Sequence, residues 1–297
     1  MKTICFIINR HSGTSRSKQL DELAGKHLDP MQFCFTCSYT SYAGHATKIA
    51  RKAVQQGVDV VAAVGGDGSV NEVARSIIGS QVKLAIIPVG SGNGLARALG
   101  IPRQPIAALK VINQFLSRKL DIGFANGQLF LSNAGVGFDA LIAKRFAASK
   151  KRGFIHYARL VLKNCLSYQP AEYHLLVDGK KYQENAFFIS VANSNQIGYN
   201  FKIAPQAELD DGFLNIVIMK PLNLIKLGQV TVQSLTGLYL NNKNVRHLIG
   251  KNIRISGEHL DWMQLDGDAL GVVKKNSVRI SVRHHALTVI APGIHPQ

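Results

Sequence analysis

The chain has 297 residues, 46% hydrophobic and 18% charged, a balance that excludes wholesale disorder and suffices for one large or two ordinary domains. No apolar run reaches the ~18–20 residues of a membrane span, and Ile4 to Ile8 is too short for a signal-peptide core, so a soluble, cytoplasmic protein is expected. Lys and Arg total 35 against 18 Asp and Glu, a net charge of +17 that either favours an anionic partner, nucleic acid or an anionic membrane surface, or serves solubility.

Up to about residue 120, strand and helix signals alternate, as they do in parallel α/β domains. Thr3 to Ile8 predicts a buried strand, and Asn9-Arg10-His11-Ser12-Gly13 predicts the turn that follows it. Phe33 to Tyr39 reads as a second strand carrying the C-x-x-C pair Cys34 and Cys37. Three apart on a strand, these thiols face opposite sides, so joint metal ligation is not expected. Ala46, Ile49, Ala50, Ala53 and Val54 share one helical face, and Gly57 stops that helix. Val58 to Val64 is a continuous apolar run, the mark of a strand covered on both faces. Gly65-Gly66-Asp67-Gly68 follows it and opens a helix over Val70 to Ile78. Lys83 to Val89 is another buried strand, leading into Gly90-Ser91-Gly92-Asn93-Gly94, and a later helix covers Ile106 to Phe115.

Beyond Asp121 the pattern changes to short alternating segments: Gln128 to Ser132, Glu172 to Val177, Ala186 to Ala192, Phe213 to Met219, Lys251 to Ile255, Trp262 to Leu265 and Val278 to Val282. Helical stretches interrupt them at Ala140 to Leu166 and Leu222 to Leu235. The expectation is an antiparallel, β-rich second domain with inserted helices.

The chemistry gathers at the glycine loops. A buried strand, a glycine turn and a helix start build an anion site from free N–H groups and the helix dipole. Gly65-Gly66-Asp67-Gly68 lacks the G-x-G-x-x-G spacing of a dinucleotide fingerprint and carries a carboxylate inside the turn. A bare carboxylate repels phosphate, whereas one that reaches a phosphate-bound magnesium ion does not, and this suits phosphoryl transfer. The second junction, Gly90 to Gly94, follows the next strand, so both loops are expected in one crevice at the carboxyl ends of the strands.

These segments together resemble the diacylglycerol kinase catalytic domain family, which includes bacterial lipid kinases and sphingosine kinases. GGDGSVNEV at Gly65–Val73 and PVGSGNGLAR at Pro88–Arg97 carry the resemblance most clearly. Asn9 to Gly13 is similar to the family's N-P-x-S-G, with Arg10 in place of Pro, and Thr40 matches its nucleotide-contacting Thr. Asn133 to Ala140 resembles its G-x-G-x-D-A segment, Pro205 to Leu214 its P-x-A-x-x-x-D-G-x-L stretch, and Leu265-Asp266-Gly267-Asp268 its L-D-G-E.

The resemblance implies an α/β N-terminal domain with a parallel, NAD-kinase-like sheet over 1–122 and a β-rich antiparallel sandwich over 123–285 that receives the lipid. A C-terminal segment, 286–297, would return to the first domain. It implies ATP contacts from Asn9, Arg10, His11, Ser12, Gly13, Thr40, Gly66, Asp67, Gly68, Ser69, Val70, Asn71, Glu72 and Ser91. Asp67, Asp121 and Asp268 would form the carboxylate cluster around a catalytic magnesium ion, with Asp268 accepting the proton of the lipid hydroxyl. Many bacterial members carry Glu there, one methylene longer. A separate structural magnesium ion would take Asp211 with backbone oxygens of Glu208 and Phe213, although Asp210-Asp211-Gly212 alone is only a turn signal.

The expected activity is ATP- and magnesium-dependent phosphorylation of a lipid hydroxyl, on diacylglycerol or a sphingoid-type alcohol. An NAD kinase, which shares the GGDG turn, and an inactive membrane-bound adaptor of the same fold are the alternatives. Lys144, Arg145, Lys150, Lys151 and Arg152, interleaved with Phe146, Phe154 and Tyr157, form either a membrane-docking edge or a solvated face. No nucleic-acid module is visible, so the expected partner is a lipid at the inner face of the membrane, with the protein peripheral.

Overall fold

The computed structural model describes residues 1–10, 19–149, 153–165, 167–195, 202–221, 242–258, 260–271 and 276–293. The chain divides into two compact units, Met1–Leu120 with His285–Gln297, and Asp121–His284.

The first unit runs β1 (Lys2–Asn9), α1 (Leu20–His27), β2 (Phe33–Thr40), α2 (His45–Gln55), β3 (Val60–Gly65), α3 (Asp67–Ile77), β4 (Lys83–Pro88), α4 (Gly94–Ala98) and α5 (Pro105–Gln114). Its strands pair in parallel in the order β2-β1-β3-β4, and the chain's last strand adds Val289 beside Leu84. Parallel strands with helical crossovers are buried on both faces, and Val60, Val61, Ala62, Ala63 and Val64 are accordingly inaccessible. Ala46, Ala50 and Ala53 are the buried residues of α2, and such small side chains allow close helix packing. The register then decides where the chemistry can lie. Asn9 stands opposite Thr40, Ile8 opposite Val64, and Gly65 opposite Pro88, so the four strands end together and their glycine loops open at one edge.

The chain enters the second unit along β5 (Ser117–Ala125), followed by β6 (Gln128–Phe130), β7 (Asn133–Gly137), α6 (Phe138–Ala148) and α7 (Phe154–Cys165). The remaining strands are β8 (Ala171–Val177), β9 (Lys180–Ala186), β10 (Phe188–Ala192), β11 (Leu214–Met219), β12 (Val245–Gly250), β13 (Asn252–Ser256), β14 (Trp262–Leu265), β15 (Asp268–Gly271) and β16 (Ser277–Ile290). One antiparallel sheet has the order β12-β11-β10-β7-β14-β15, and a second layer joins β16, β13, β8 and β9. Val136, Ile189, Ile216 and Met263 from one sheet share a core with Tyr173, Leu175, Ile253 and Ile280 from the other. This is a β sandwich.

Three elements differ from the expectation. The helix expected over Ala140 to Leu166 is two, α6 and α7, and Gly153 immediately before α7 has φ +97°, a conformation no L-residue helix sustains. The strand expected over Ala186 to Ala192 is β10, which starts two residues later, at Phe188, with Ala186 closing β9. Lys180 to Ala186 forms a full strand despite its polar sequence, because β8 pairs with it through all seven residues, Ala171 with Ala186 to Val177 with Lys180. The helix expected over Leu222 to Leu235 lies outside the described residues.

Three hairpins of the second unit turn on two residues. At Asn126-Gly127, Asp178-Gly179 and Asp266-Gly267 both φ angles are positive, at 48° and 80°, 44° and 85°, and 50° and 91°. That is type I′ geometry, which matches strand twist and selects Asn or Asp followed by Gly. Each Asx side chain also binds a neighbouring segment. Asn126 Oδ1 accepts from the Arg279 N–H (2.9 Å), and the Asp178 carboxylate accepts from Lys251 (2.9 Å) and Asn252 (2.8 Å). The Asp266 carboxylate accepts three backbone N–H groups, Leu131 at 2.8 Å, Ser132 at 2.6 Å and Asn133 at 3.0 Å. Asp266→Ala is expected to lower stability by roughly 2–4 kcal/mol in urea unfolding, since three part-buried donors lose a charged acceptor.

Candidate active site

In the first unit the two glycine turns touch. A Cβ on Gly90 would lie 2.5 Å from the Gly66 Cα, so only glycine permits this approach. The Asp67 carboxylate ties the loops together, Oδ2 accepting from the Asn93 N–H (2.8 Å) and Oδ1 from the Gly94 N–H (2.7 Å). Asn93 sits in the left-handed region (φ 53°), and its Nδ2 donates to the Gly90 carbonyl at 2.7 Å, closing the turn. Arg97 Nε donates to the Gly92 carbonyl at 2.9 Å. Ser91 is left exposed at the crest of this braced loop.

The remaining residues singled out in this unit divide into outward and inward groups. Gly68 is exposed in the first turn of α3, whose N-cap residue, Gly66, has no side chain to cap it, and Arg10 is exposed with its guanidinium 4.2 Å from the Tyr39 ring. Asn9 Nδ2 donates to the buried Ser69 Oγ at 3.1 Å, joining the end of β1 to α3. Val70, Asn71 and Thr40 are buried. Glu72 reaches α2, its carboxylate accepting from the Gly44 (2.9 Å) and Ala46 (3.1 Å) N–H groups at a helix start that has no cap of its own. His11, Ser12 and Gly13 lie outside the described residues.

A helix N-terminus without a cap, glycines that let backbone approach, and an exposed serine fit an anionic phosphate chain. Asp67 fits a divalent metal by its chemistry, since carboxylate oxygens are the hard ligands that such cations take.

In the second unit Asp121, on β5, is fully buried. Its Oδ2 accepts from the Gly212 N–H at 2.5 Å and its Oδ1 lies 2.8 Å from His284 Nδ1. Its own N–H donates to the Leu209 carbonyl at 2.6 Å, and its carbonyl accepts from Asn193 Nδ2 at 2.8 Å. The 209–212 loop is thus moored at both ends on one residue. Within it Asp211 Oδ1 accepts from the Phe213 N–H at 2.9 Å, an Asx turn, while Asp211 and Glu208 are exposed.

Asp268 is exposed at the start of β15, directly after the Asp266-Gly267 turn. Beside that turn lies a pair the sequence reading passed over. Gln264, buried on β14, donates through Nε2 to Asp139 Oδ2 at 2.8 Å and accepts the Gly267 N–H through Oε1 at 2.8 Å. Asp139 stands in the first turn of α6, and burial pushes its carboxyl from 3.8 to about 6, against the opposing pull of the Gln264 amide. The quoted G-x-G-x-D-A segment holds its signal, since a Cβ on Gly135 would lie 2.1 Å from Asp139 Oδ2. His284 and Gln264 carry no comparable signal.

Comparison with known proteins gives these features their context. The diacylglycerol kinase catalytic domain matches residues 3–125, and the YegS C-terminal NAD kinase beta sandwich-like domain matches residues 132–291. A diacylglycerol kinase of Bacillus subtilis (strain 168) is 32% identical over 254 residues, covering 84% of each chain. One from Staphylococcus aureus (strain MRSA252) is 31% identical over 295 residues, covering 97% of this chain and 92% of that one. The chain belongs to the diacylglycerol kinase family. A crystal structure of a diacylglycerol kinase from Bacillus anthracis str. Sterne has the same fold, with a TM-score of 0.72 at 22% identity, covering 98% of this chain and 97% of that one. Family membership makes the chain a lipid kinase, with ATP as phosphoryl donor and a divalent metal as the family's common requirement.

The raised Asp139 carboxyl has a stability consequence. The folded state holds this proton more tightly than the unfolded chain, so the contribution is present below about pH 4 and lost as pH rises through about 6. Asp139→Asn keeps an acceptor for Gln264 without the charge. By differential scanning fluorimetry its unfolding midpoint should equal that of the parent near pH 4 and exceed it at about pH 8.

Proposed function

We propose that the chain transfers the γ-phosphoryl group of ATP, with magnesium, to the hydroxyl of a membrane lipid, diacylglycerol or a sphingoid-type alcohol. The observation that carries this reading is the division of labour at Asp266-Gly267-Asp268. Asp266 accepts from three backbone donors and holds the turn, and Asp268 follows it, exposed at the head of a strand. A carboxylate so placed can accept the proton of an aliphatic hydroxyl as it attacks phosphorus.

In this reading ATP is held by Asn9 to Gly13, Thr40, Gly66 to Glu72 and Ser91. Glu72, Val70 and Asn71 contribute by holding α2 and α3 in place, and Gly68 and Ser91 by contact. Magnesium would supply charge neutralisation at the phosphoryl group, and Asp67, Asp121 and Asp268 would be its carboxylates. Asp211, with backbone oxygens of Glu208 and Phe213, would hold a structural magnesium ion.

Incubation with γ-labelled ATP and a panel of diacylglycerol, monoacylglycerol, sphingosine and NAD is expected to label a lipid, and label confined to NADP overturns the reading. Asp67→Ala is expected to lower kcat/KM by ~10²-fold or more with a raised KM for ATP, because it frees the second loop as well as removing a charge.

We further propose that the protein works peripherally at the cytoplasmic face of the membrane. No helix among the described residues is long and apolar enough to cross a bilayer. On α7, Ile155 and Leu162 are 68% and 66% exposed, with Arg159 and Lys163 exposed beside them. Lys144 and Arg145 are exposed on α6, Lys144 resting 4.0 Å from the Trp262 ring, while Lys150, Lys151 and Arg152 lie outside the described residues. Apolar side chains among cations suit an anionic leaflet. Sedimentation with phosphatidylglycerol vesicles should weaken as salt rises and weaken again in Ile155→Ser/Leu162→Ser. Salt-independent binding, equal on phosphatidylcholine, would exclude the electrostatic part.

A further inference from the structure

We infer that Gln264, oriented by Asp139, is a positioning residue that sets the Asp268 carboxylate for proton transfer; the inference rests on Asp268 being the base.

Gln264 is 2% exposed, between Met263 and Leu265 of the sandwich core, where an apolar side chain is the ordinary occupant. Its amide cannot be turned over. The Asp139 carboxylate only accepts and the Gly267 N–H only donates, so the reversed amide would set acceptor against acceptor and donor against donor. The direction of the amide is therefore chosen by Asp139, and it fixes the peptide nitrogen immediately before Asp268.

Room for the pair is made on the facing strand. Gly135 of β7 pairs with Gln264 of β14, and a Cβ there would lie 2.8 Å from Gln264 Nε2 as well as colliding with Asp139. A glycine, a buried amide and a half-buried carboxylate are thus assembled at one point. For stability alone three apolar residues would serve as well, since buried polar pairs cost desolvation that they seldom recover. What the triad supplies is direction. Asp266 holds the same two-residue turn from the other side through Leu131 to Asn133, so residue 267 is fixed from two directions before the chain reaches Asp268.

The test is a double-mutant cycle on the full chain, with γ-labelled ATP and short-chain diacylglycerol in mixed micelles. Gln264→Met is expected to lower kcat ~10–100-fold with the KM for ATP within about 2-fold, as misplaced catalytic groups do. In an Asp268→Asn background the same change should cost less than about 3-fold, because the group it positions has already lost its function. Asp139→Ala should resemble Gln264→Met, and Asp139→Asn, which retains an acceptor, should recover most of that loss. If Gln264→Met lowers the unfolding midpoint by more than about 5 °C, the Asp139 pair carries the comparison in both backgrounds. Equal losses with and without the Asp268 carboxylate, or near-parental kcat in Gln264→Met beside an inactive Asp268→Asn, overturn the positioning role alone. Near-parental kcat in Asp268→Asn removes the base itself, and with it the reading on which the inference stands.

Discussion

Sharp loops leave backbone N–H groups without partners, and this protein answers that constraint with carboxylates. Asp67 accepts from Asn93 and Gly94, Glu72 from Gly44 and Ala46, Asp121 from Gly212, Asp178 from Lys251 and Asn252, and Asp266 from Leu131, Ser132 and Asn133. A buried or half-buried donor left unpaired costs about 1–3 kcal/mol, so the fastenings by Asp67, Asp121 and Asp266 stabilise loop conformations that the backbone alone would not hold. The chain has only 18 acidic residues against 35 Lys and Arg, and several of those acids serve as internal fasteners. These acids count in the formal charge wherever they sit, so +17 reflects the excess of Lys and Arg and not the fastenings. Acids so engaged nevertheless have little surface left with which to offset the exposed lysines and arginines locally.

The fastenings also explain which parts of the fold the sequence displays. The parallel strands of the first unit announce themselves because burial on both faces demands unbroken apolar runs such as Val60 to Val64. Lys180 to Ala186 does not, because its strand state comes from pairing with β8 and from the Asp178-Gly179 turn rather than from its own side chains. Aspartate-glycine and asparagine-glycine pairs at 126, 178 and 266 are signs of these hairpins that the apolar pattern alone passes over. The glycine loops and the Asp266-Gly267-Asp268 segment were legible as motifs, but their contacts were not. Asp67 was expected to need a metal to lie near phosphate, and the structure gives it two backbone donors as well. Asp266 and Asp268 differ because residues 266 and 267 form the turn and residue 268 begins the strand. Gln264 and His284 had no sequence signal, since their carboxylate partners, Asp139 and Asp121, lie more than 120 residues away in the chain.

Glu72 and Asp67 show how one helix can organise the glycine-loop edge of the sheet, the proposed nucleotide site, from two directions. Both lie on α3, Asp67 in its first turn and Glu72 on its second. Asp67 holds the loop after β4, and Glu72 holds the start of α2 after β2. The loops of three successive crossovers are therefore referenced to a single helix, and a displacement of α3 would carry them together. A nucleotide held by several loops needs that common reference, because its binding energy falls if the loops move independently.

The same logic bears on the shortness of Asp268 in its proposed role as the base. A glutamate reaches ~1.5 Å further than an aspartate and has one more torsion with which to correct an imperfect backbone position. An aspartate lacks that correction, so errors in the peptide pass directly to its carboxylate. The type I′ turn fixes φ at 266 and 267, Asp266 anchors the turn to the β6–β7 link, and Gln264 with Asp139 anchors Gly267 to α6. Rigidity in the hairpin then takes the place of adjustability in the side chain. A short carboxylate on a stiff turn also loses less conformational entropy when it engages a hydroxyl than a long one on a loose turn. The shorter residue and the fastened hairpin are one solution to the same positional requirement.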